Sequence, residues 1–229
     1  MTLQAIVFDF DGVIANSEPL HLRAFQSALG DHGIPLSRED YFTRYLGFDD
    51  VGAFHAVAAD RGFALSERLL AELVALKGHK LQQMMHGDEV MFAGAARFIR
   101  AAADAVPIAI ASGALRHEID EIIEASGLAD LFSVIVASGD TPVSKPSPEP
   151  YRLAFTRLQE MHPTVTHAAN CVAIEDSRWG LESARGAGLR CVGVTNSYPA
   201  AELGVVDLVV GGLHDLTLAA LDDLVRNKG

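Results

Sequence analysis

Ala5-Ile6-Val7-Phe8-Asp9-Phe10-Asp11-Gly12-Val13 is a run of β-favouring apolar residues that ends in two carboxylates and a glycine. Consecutive apolar residues without alternation mark a strand covered on both faces, the condition of a parallel sheet flanked by helices. In open sheets of that kind ligands sit beyond the carboxyl ends of the strands, where this run places its acids. If the strand continues through Phe10, Asp9 and Asp11 point to the same side, an arrangement suited to a hard divalent cation. Alone, the same residues also read as a strand closed by an Asp-Gly turn.

Outward from this run, further short apolar segments recur at Pro107–Ala111, Val134–Ala137, Cys171–Ile174, Cys191–Val194 and Leu208–Val210, separated by amphipathic stretches. That alternation predicts βα units and an α/β, doubly wound parallel sheet. One interval departs from it. Between about Ser17 and Gly87 there is only helical periodicity, as in Leu20, Ala24 and Ala28, or Leu69, Leu73 and Leu76, with turns at Gly33-Ile34-Pro35 and Arg61-Gly62. The expected organisation is a core of residues 1–15 and 93–229 with an all-helical domain, 16–92, inserted after the first strand. The hinges fall near Ala15–Ser17 and Gly87–Ala93.

Composition narrows the partners. The 229 residues carry 30 acids against 18 lysines and arginines, a net charge of −12. A field of that sign repels nucleic acid and anionic membranes but leaves room for one local cationic site. No apolar run approaches the roughly 20 residues of a membrane span, and the N-terminal residues lack a basic leader. Cys171 and Cys191, each inside an apolar run and far from any CxxC, read as buried reduced thiols. A cytoplasmic setting, and a monomer or weak dimer, are the defaults.

Three further strings close predicted strands. Ile110-Ala111-Ser112-Gly113-Ala114 offers a hydroxyl and backbone N–H groups before a helix expected from Leu115 to Ala125. Such a helix start either binds phosphate or is simply capped by the serine. Val143-Ser144-Lys145-Pro146-Ser147-Pro148-Glu149-Pro150-Tyr151 fixes one of only four lysines, the others being Lys77, Lys80 and Lys228, before a helix start. A solvated loop lysine is the alternative. Ile174-Glu175-Asp176-Ser177-Arg178-Trp179-Gly180 places two acids after a buried strand, where they serve either a cation or a helix terminus. Together the four strings bring acids, a hydroxyl, a cation and glycines to one sheet edge, the inventory of metal-assisted phosphoryl transfer.

The order Asp9-x-Asp11-Gly12-Val13, Ser112, Lys145-Pro146, Glu175-Asp176 resembles the haloacid dehalogenase superfamily of phosphohydrolases over essentially the whole chain. The inserted helices resemble the α-helical cap of its β-phosphoglucomutase and phosphoglycolate phosphatase branches. The resemblance implies that Asp9 is the nucleophile and that Asp11 is first general acid, then general base. It implies that Mg2+ is held by Asp9, the Asp11 backbone carbonyl and Asp176, with Glu175 beside or behind it. Ser112, Gly113 and Lys145 would bind the phosphoryl group, and His21, ten residues after Asp11, stands where the mutase branch has a cap histidine.

Departures narrow the branch. The mutase resemblance places a lysine just before Gly47, where this chain has Leu46, and no lysine precedes Lys77; Arg44 is the nearest substitute. Without that cation a bisphosphate intermediate is poorly held, and Schiff-base phosphonatase chemistry has no early amine. Asp11 is the acid that dehalogenases of the superfamily lack. The sequence therefore implies a Mg2+-dependent phosphatase of a small phosphorylated metabolite. A hexose-phosphate mutase, and a silent binding protein on the same fold, are the alternatives.

Overall fold

A computed structural model describes residues 2–45, 48, 50–84 and 90–226. The chain forms two compact units, Met1–Asn16 with Gly87–Gly229, and Ser17–His86. The first is built on β1 (Ala5–Phe8), β2 (Ile108–Ala111), β3 (Phe132–Val136), β4 (Cys171–Glu175), β5 (Arg190–Val194) and β6 (Leu208–Val210). All pairs are parallel and the order is β3-β2-β1-β4-β5-β6, so chain direction across the sheet reverses between β1 and β4. That switch point opens a crevice at the carboxyl ends of two strands far apart in sequence.

Every residue of β1 and β2 is buried, as unbroken apolar runs predict. On one face Ala5, Val7, Ala109 and Ala173 pack with Tyr151, Ala154 and Leu158 of α7 (Glu149–Met161) and with Leu181 and Ala184 of α8 (Arg178–Gly186). On the other, Phe8 meets Phe132 and Phe98 of α5 (Ala95–Ala105) edge to face, each at 6.2 Å between centroids. Helix α6 (Arg116–Ala125) follows β2, and α9 (Leu218–Arg226) closes the unit.

The second unit contains α1 (Glu18–Gly30), a short turn α2 (Arg38–Asp40) continued by a wide turn at Tyr41–Tyr45, α3 (Asp50–Arg61) and α4 (Glu67–Met84), with no strand among the described residues. Leu22, Phe25, Ala28 and Leu29 of α1 bury against Phe54 and Val57 of α3 and Leu73 of α4. These spacings of three and four are the apolar stripe that the sequence shows.

Two details depart from expectation. β1 ends at Phe8, because the Phe10 carbonyl collects the N–H groups of Val13, Ile14 and Ala15 in a tight loop. A closed loop, rather than a continued pleat, therefore carries Asp11, whose charge acts on Asp9. Second, the chain returning from the helical unit pairs with the chain leaving for it. Asn16 N–H donates to Val90 O at 2.6 Å, and Phe92 N–H to Ile14 O at 3.0 Å. Residues 90–92 thus run with the α/β unit.

Candidate active site

Asp9 follows β1 and Asp176 follows β4, on the two strands flanking the switch point; Asp9 N–H donates to Ile174 O at 2.9 Å. Carboxylate oxygens of Asp9, Glu175 and Asp176 lie within 4.8 Å of one another, and all three residues are buried. Lys145 reaches into this cluster and donates from Nζ to Asp9 Oδ1 at 2.7 Å and to Glu175 Oε1 at 2.6 Å. It is thus no solvated loop lysine.

Glu175 is fully buried and its oxygens are taken. Oε1 accepts from Lys145 and, at 3.0 Å, from Tyr151 OH. Oε2 accepts from the N–H groups of Asp176 and Ser177 and from Ser177 Oγ, at 3.1 to 3.2 Å. The helix α8 is capped instead by Ser177, whose Oγ accepts from Gly180 N–H at 3.1 Å. The adjacent acids are therefore not helix caps. Gly180 makes room for them: a Cβ there would lie 1.7 Å from Glu175 Oε1.

Among the described residues three buried carboxylates face one ammonium, and the imbalance shows in the proton affinities of Asp9 and Asp176. Burial, then the charge of Glu175, push Asp9 up to about 7 from an ordinary 3.8, against the pull of Lys145. Burial, then the charges of Glu175 and Asp9, raise Asp176 well above its usual range. Burial alone would lower Lys145, but Asp9 and Glu175 outweigh it and hold the ammonium above its ordinary value. All the donors are hard oxygens and the uncompensated charge is negative, so the residues fit a divalent cation such as Mg2+.

The remaining predicted residues are placed as follows. Ser112 closes β2, on the strand beside β1; its Oγ accepts from Ala114 N–H at 3.1 Å and is buried, while Gly113 is exposed. Because α6 begins only at Arg116, Ser112 does not cap it. Asp11 is half-buried in the loop after β1, and its charge adds to the upward pressure on Asp9. His21 belongs to the helical unit, where its Nδ1 lies 3.0 Å from Lys77 Nζ. Burial, then Lys77, push His21 down to about 3, so it is neutral at pH 7. Leu46 and Gly47 lie outside the described residues.

Sequence reasoning missed several participants. Tyr151, which in sequence marks only a helix start, donates to Glu175. Lys77 is buried, pairs with Asp50 at 2.7 Å and lies 5.1 Å over the Phe25 ring. Its signal was available: Leu73, Lys77 and Leu81 share the buried face of α4 at a spacing of four. Asn196, which donates from Nδ2 to Gly12 O at 2.7 Å, gave no signal at all. Burial raises both Cys171 and Cys191 to about 12, as inert thiols require.

Comparison with known proteins settles the lineage: the model of a hydrolase family, the haloacid dehalogenase-like hydrolases, matches residues 3–188. The chain belongs to this family. Protein CbbY of Rhodobacter capsulatus is 34% identical over 86% of this chain and 88% of its own. A phosphoglycolate phosphatase of Yersinia pseudotuberculosis is 26% identical over 99% of this chain and 94% of its own. Among solved structures, a CbbY variant of Rhodobacter sphaeroides in complex with xylulose 1,5-bisphosphate superposes with TM-score 0.82 at 28% identity, covering 97% of this chain and all of that one. A β-phosphoglucomutase from Clostridium difficile shares the fold, with TM-score 0.80 at 20% identity over 98% of this chain and 97% of its own. As a haloacid dehalogenase-like hydrolase, the chain is an enzyme, a phosphatase of small phosphorylated substrates. Among its described residues, no helix is long and apolar enough to cross a membrane.

Proposed function

We propose that this enzyme is a Mg2+-dependent phosphatase that hydrolyses a sugar phosphate or organic-acid phosphate through a phosphorylated Asp9. The observation that carries the reading is the buried set Asp9, Glu175 and Asp176 with Lys145 as its one lysine. Asp9, Asp176 and the Asp11 backbone carbonyl would hold the cation. Glu175, already saturated by five donors, stands behind as charge and anchor. When bound, the cation neutralises the acids and the phosphoryl oxygens, as attack by a carboxylate on a phosphate dianion requires.

The protein's own groups then divide the work. Asp9, deprotonated, attacks phosphorus, and Asp11 gives its proton to the departing oxygen. Asp11 next takes a proton from water, which attacks the aspartyl-phosphate and frees Asp9. Lys145 has three donors and spends two on Asp9 and Glu175, which leaves one for a phosphoryl oxygen beside Ser112 and Gly113. To the helical unit Ser17–His86 we assign selection of the rest of the substrate, with neutral His21 as a contact.

Hydrolysis is favoured over mutase chemistry because Leu46 stands where the mutase branch has a lysine, and Arg44, the nearest substitute in sequence, is ion-paired with Asp60. The relatives make sugar bisphosphates and phosphoglycolate the first substrates to try. Phosphate release from a panel of sugar, nucleotide and organic-acid phosphates, with Mg2+ and with excess chelator, tests the reading. Chelator should abolish release and Mg2+ restore it; full activity in chelator refutes the cation. Conversion of β-glucose 1-phosphate to the 6-phosphate faster than phosphate appears, in an assay primed with bisphosphate, refutes the phosphatase assignment.

A further inference from the structure

The loop after β5 touches both halves of the catalytic edge with consecutive residues. Asn196 donates from Nδ2 to the carbonyl of Gly12, at 2.7 Å. The Ser197 hydroxyl stands beside the Asp176 carboxylate and draws its proton affinity down. Between them the space is filled to the atom: a Cβ on Gly12, whose φ is +77°, would lie 1.9 Å from Asp176 Oδ2 and 2.8 Å from Ser197 Oγ. The loop is itself fixed at both ends. Thr195 N–H donates to Val210 O at 3.1 Å, and Tyr198 meets Trp179, three residues beyond Asp176, edge to face at 6.2 Å.

Asn196 thereby pins the peptide that immediately follows the Asp11 carbonyl, while Ser197 orients Asp176. We propose that Asn196 and Ser197 are positioning residues that fix the separation of the Asp11 carbonyl and the Asp176 carboxylate, and so make the site selective for Mg2+ over Ca2+. This rests on the cation-dependent reading given above. The physical basis is the difference between the ions. Mg2+ demands near-octahedral oxygens at about 2.1 Å, whereas Ca2+ accepts irregular ones at about 2.3 to 2.6 Å. Ligands held from behind at fixed spacing favour the smaller ion, and loss of such outer partners typically weakens metal binding about 10- to 100-fold.

The test is calorimetric titration of the purified full chain with Mg2+ and with Ca2+, for the wild type, Asn196→Ala, Ser197→Ala and Ser197→Thr. Asn196→Ala and Ser197→Ala should each bind Mg2+ about tenfold more weakly or worse, and Ca2+ much less so, which lowers the Mg2+/Ca2+ ratio. Ser197→Thr, which keeps the hydroxyl, should retain the wild-type ratio. A merely structural role would lower the melting temperature and leave the ratio in place. Unchanged Mg2+ binding, or equal weakening for both ions, overturns the proposal. If Asn196→Ala does not fold, the two Ser197 variants decide alone. A wild type that binds no Mg2+ would instead refute the cation reading itself, and this inference with it.

Discussion

Replacing Asp9, the proposed nucleophile, with its neutral isostere should remove turnover and yet make the metal-free protein more stable. Asp9 is held at about 7 against an ordinary 3.8. The folded state therefore keeps its proton about three pH units longer than the unfolded one, at about 1.4 kcal/mol per unit. The sign follows from linkage: this contribution is complete below about pH 4 and is lost as pH rises through about 7. At pH 8 the ionised carboxylate costs the fold about 4 kcal/mol, and at pH 5 less than half of that. The amide introduced by Asp9→Asn would carry no charge at any pH, and its oxygen can still accept from Lys145. In chelator, Asp9→Asn should thus unfold about 10 °C higher than the wild type at pH 8, and only a few degrees higher at pH 5. Saturating Mg2+ should narrow the gap at pH 8, since a bound cation favours the charged acid. Thermal melts of both proteins at the two pH values, with and without Mg2+, measure this. A variant no more stable than the wild type at pH 8, or a difference independent of pH, would refute the reasoning.

Lys145→Ala should also end catalysis but with the opposite effect on the fold. It leaves three buried carboxylates without their lysine, at a cost of about 3 to 5 kcal/mol at pH 8 by urea denaturation, and less at pH 5 where Asp9 takes up its proton. Asp11→Ala should slow phosphate release far more for alkyl phosphates than for aryl phosphates, whose leaving oxygens need no proton; equal losses would remove Asp11 from the role of acid. Gly180→Ala drives a methyl group into Glu175, which five donors hold in place. It should destabilise by about 1 to 3 kcal/mol and reduce activity, and a silent substitution would show that Glu175 has room to move.

The sheet was legible because its inner strands β1, β2, β4 and β5 are buried on both faces. Their apolar runs put the strand limits within about two residues of those found. β3 starts earlier than its reading, at Phe132, because Ser133 and Ile135 of this outer strand are half-exposed and its pairing with β2 shifts register. The acids and Lys145 were legible as residue types at strand ends, and the structure brings Asp9, Lys145, Glu175 and Asp176 together. What could not be read is what holds them. Tyr151, Ser177 and Asn196 act through side-chain hydrogen bonds to partners 24, 2 and 184 residues away, and no periodicity encodes such pairs. Lys77 was legible only in its spacing with Leu73 and Leu81: a lysine in an apolar stripe looks like a solvated stem until its partner Asp50, on another helix, is in place.

The pairing of Asn16 with Val90 and of Phe92 with Ile14 joins the two chain ends at which the helical unit is spliced in. For the α/β unit, the whole of Ser17–His86 is therefore one loop closed at its neck. The entropy of closing a loop grows only with the logarithm of its length, about 0.6 kcal/mol per doubling. Lengthening, shortening or exchanging the insert thus costs the scaffold little, provided the neck survives. A lineage that keeps this neck can trade one helical insert for another while Asp9, seven residues upstream of Asn16, stays where it was.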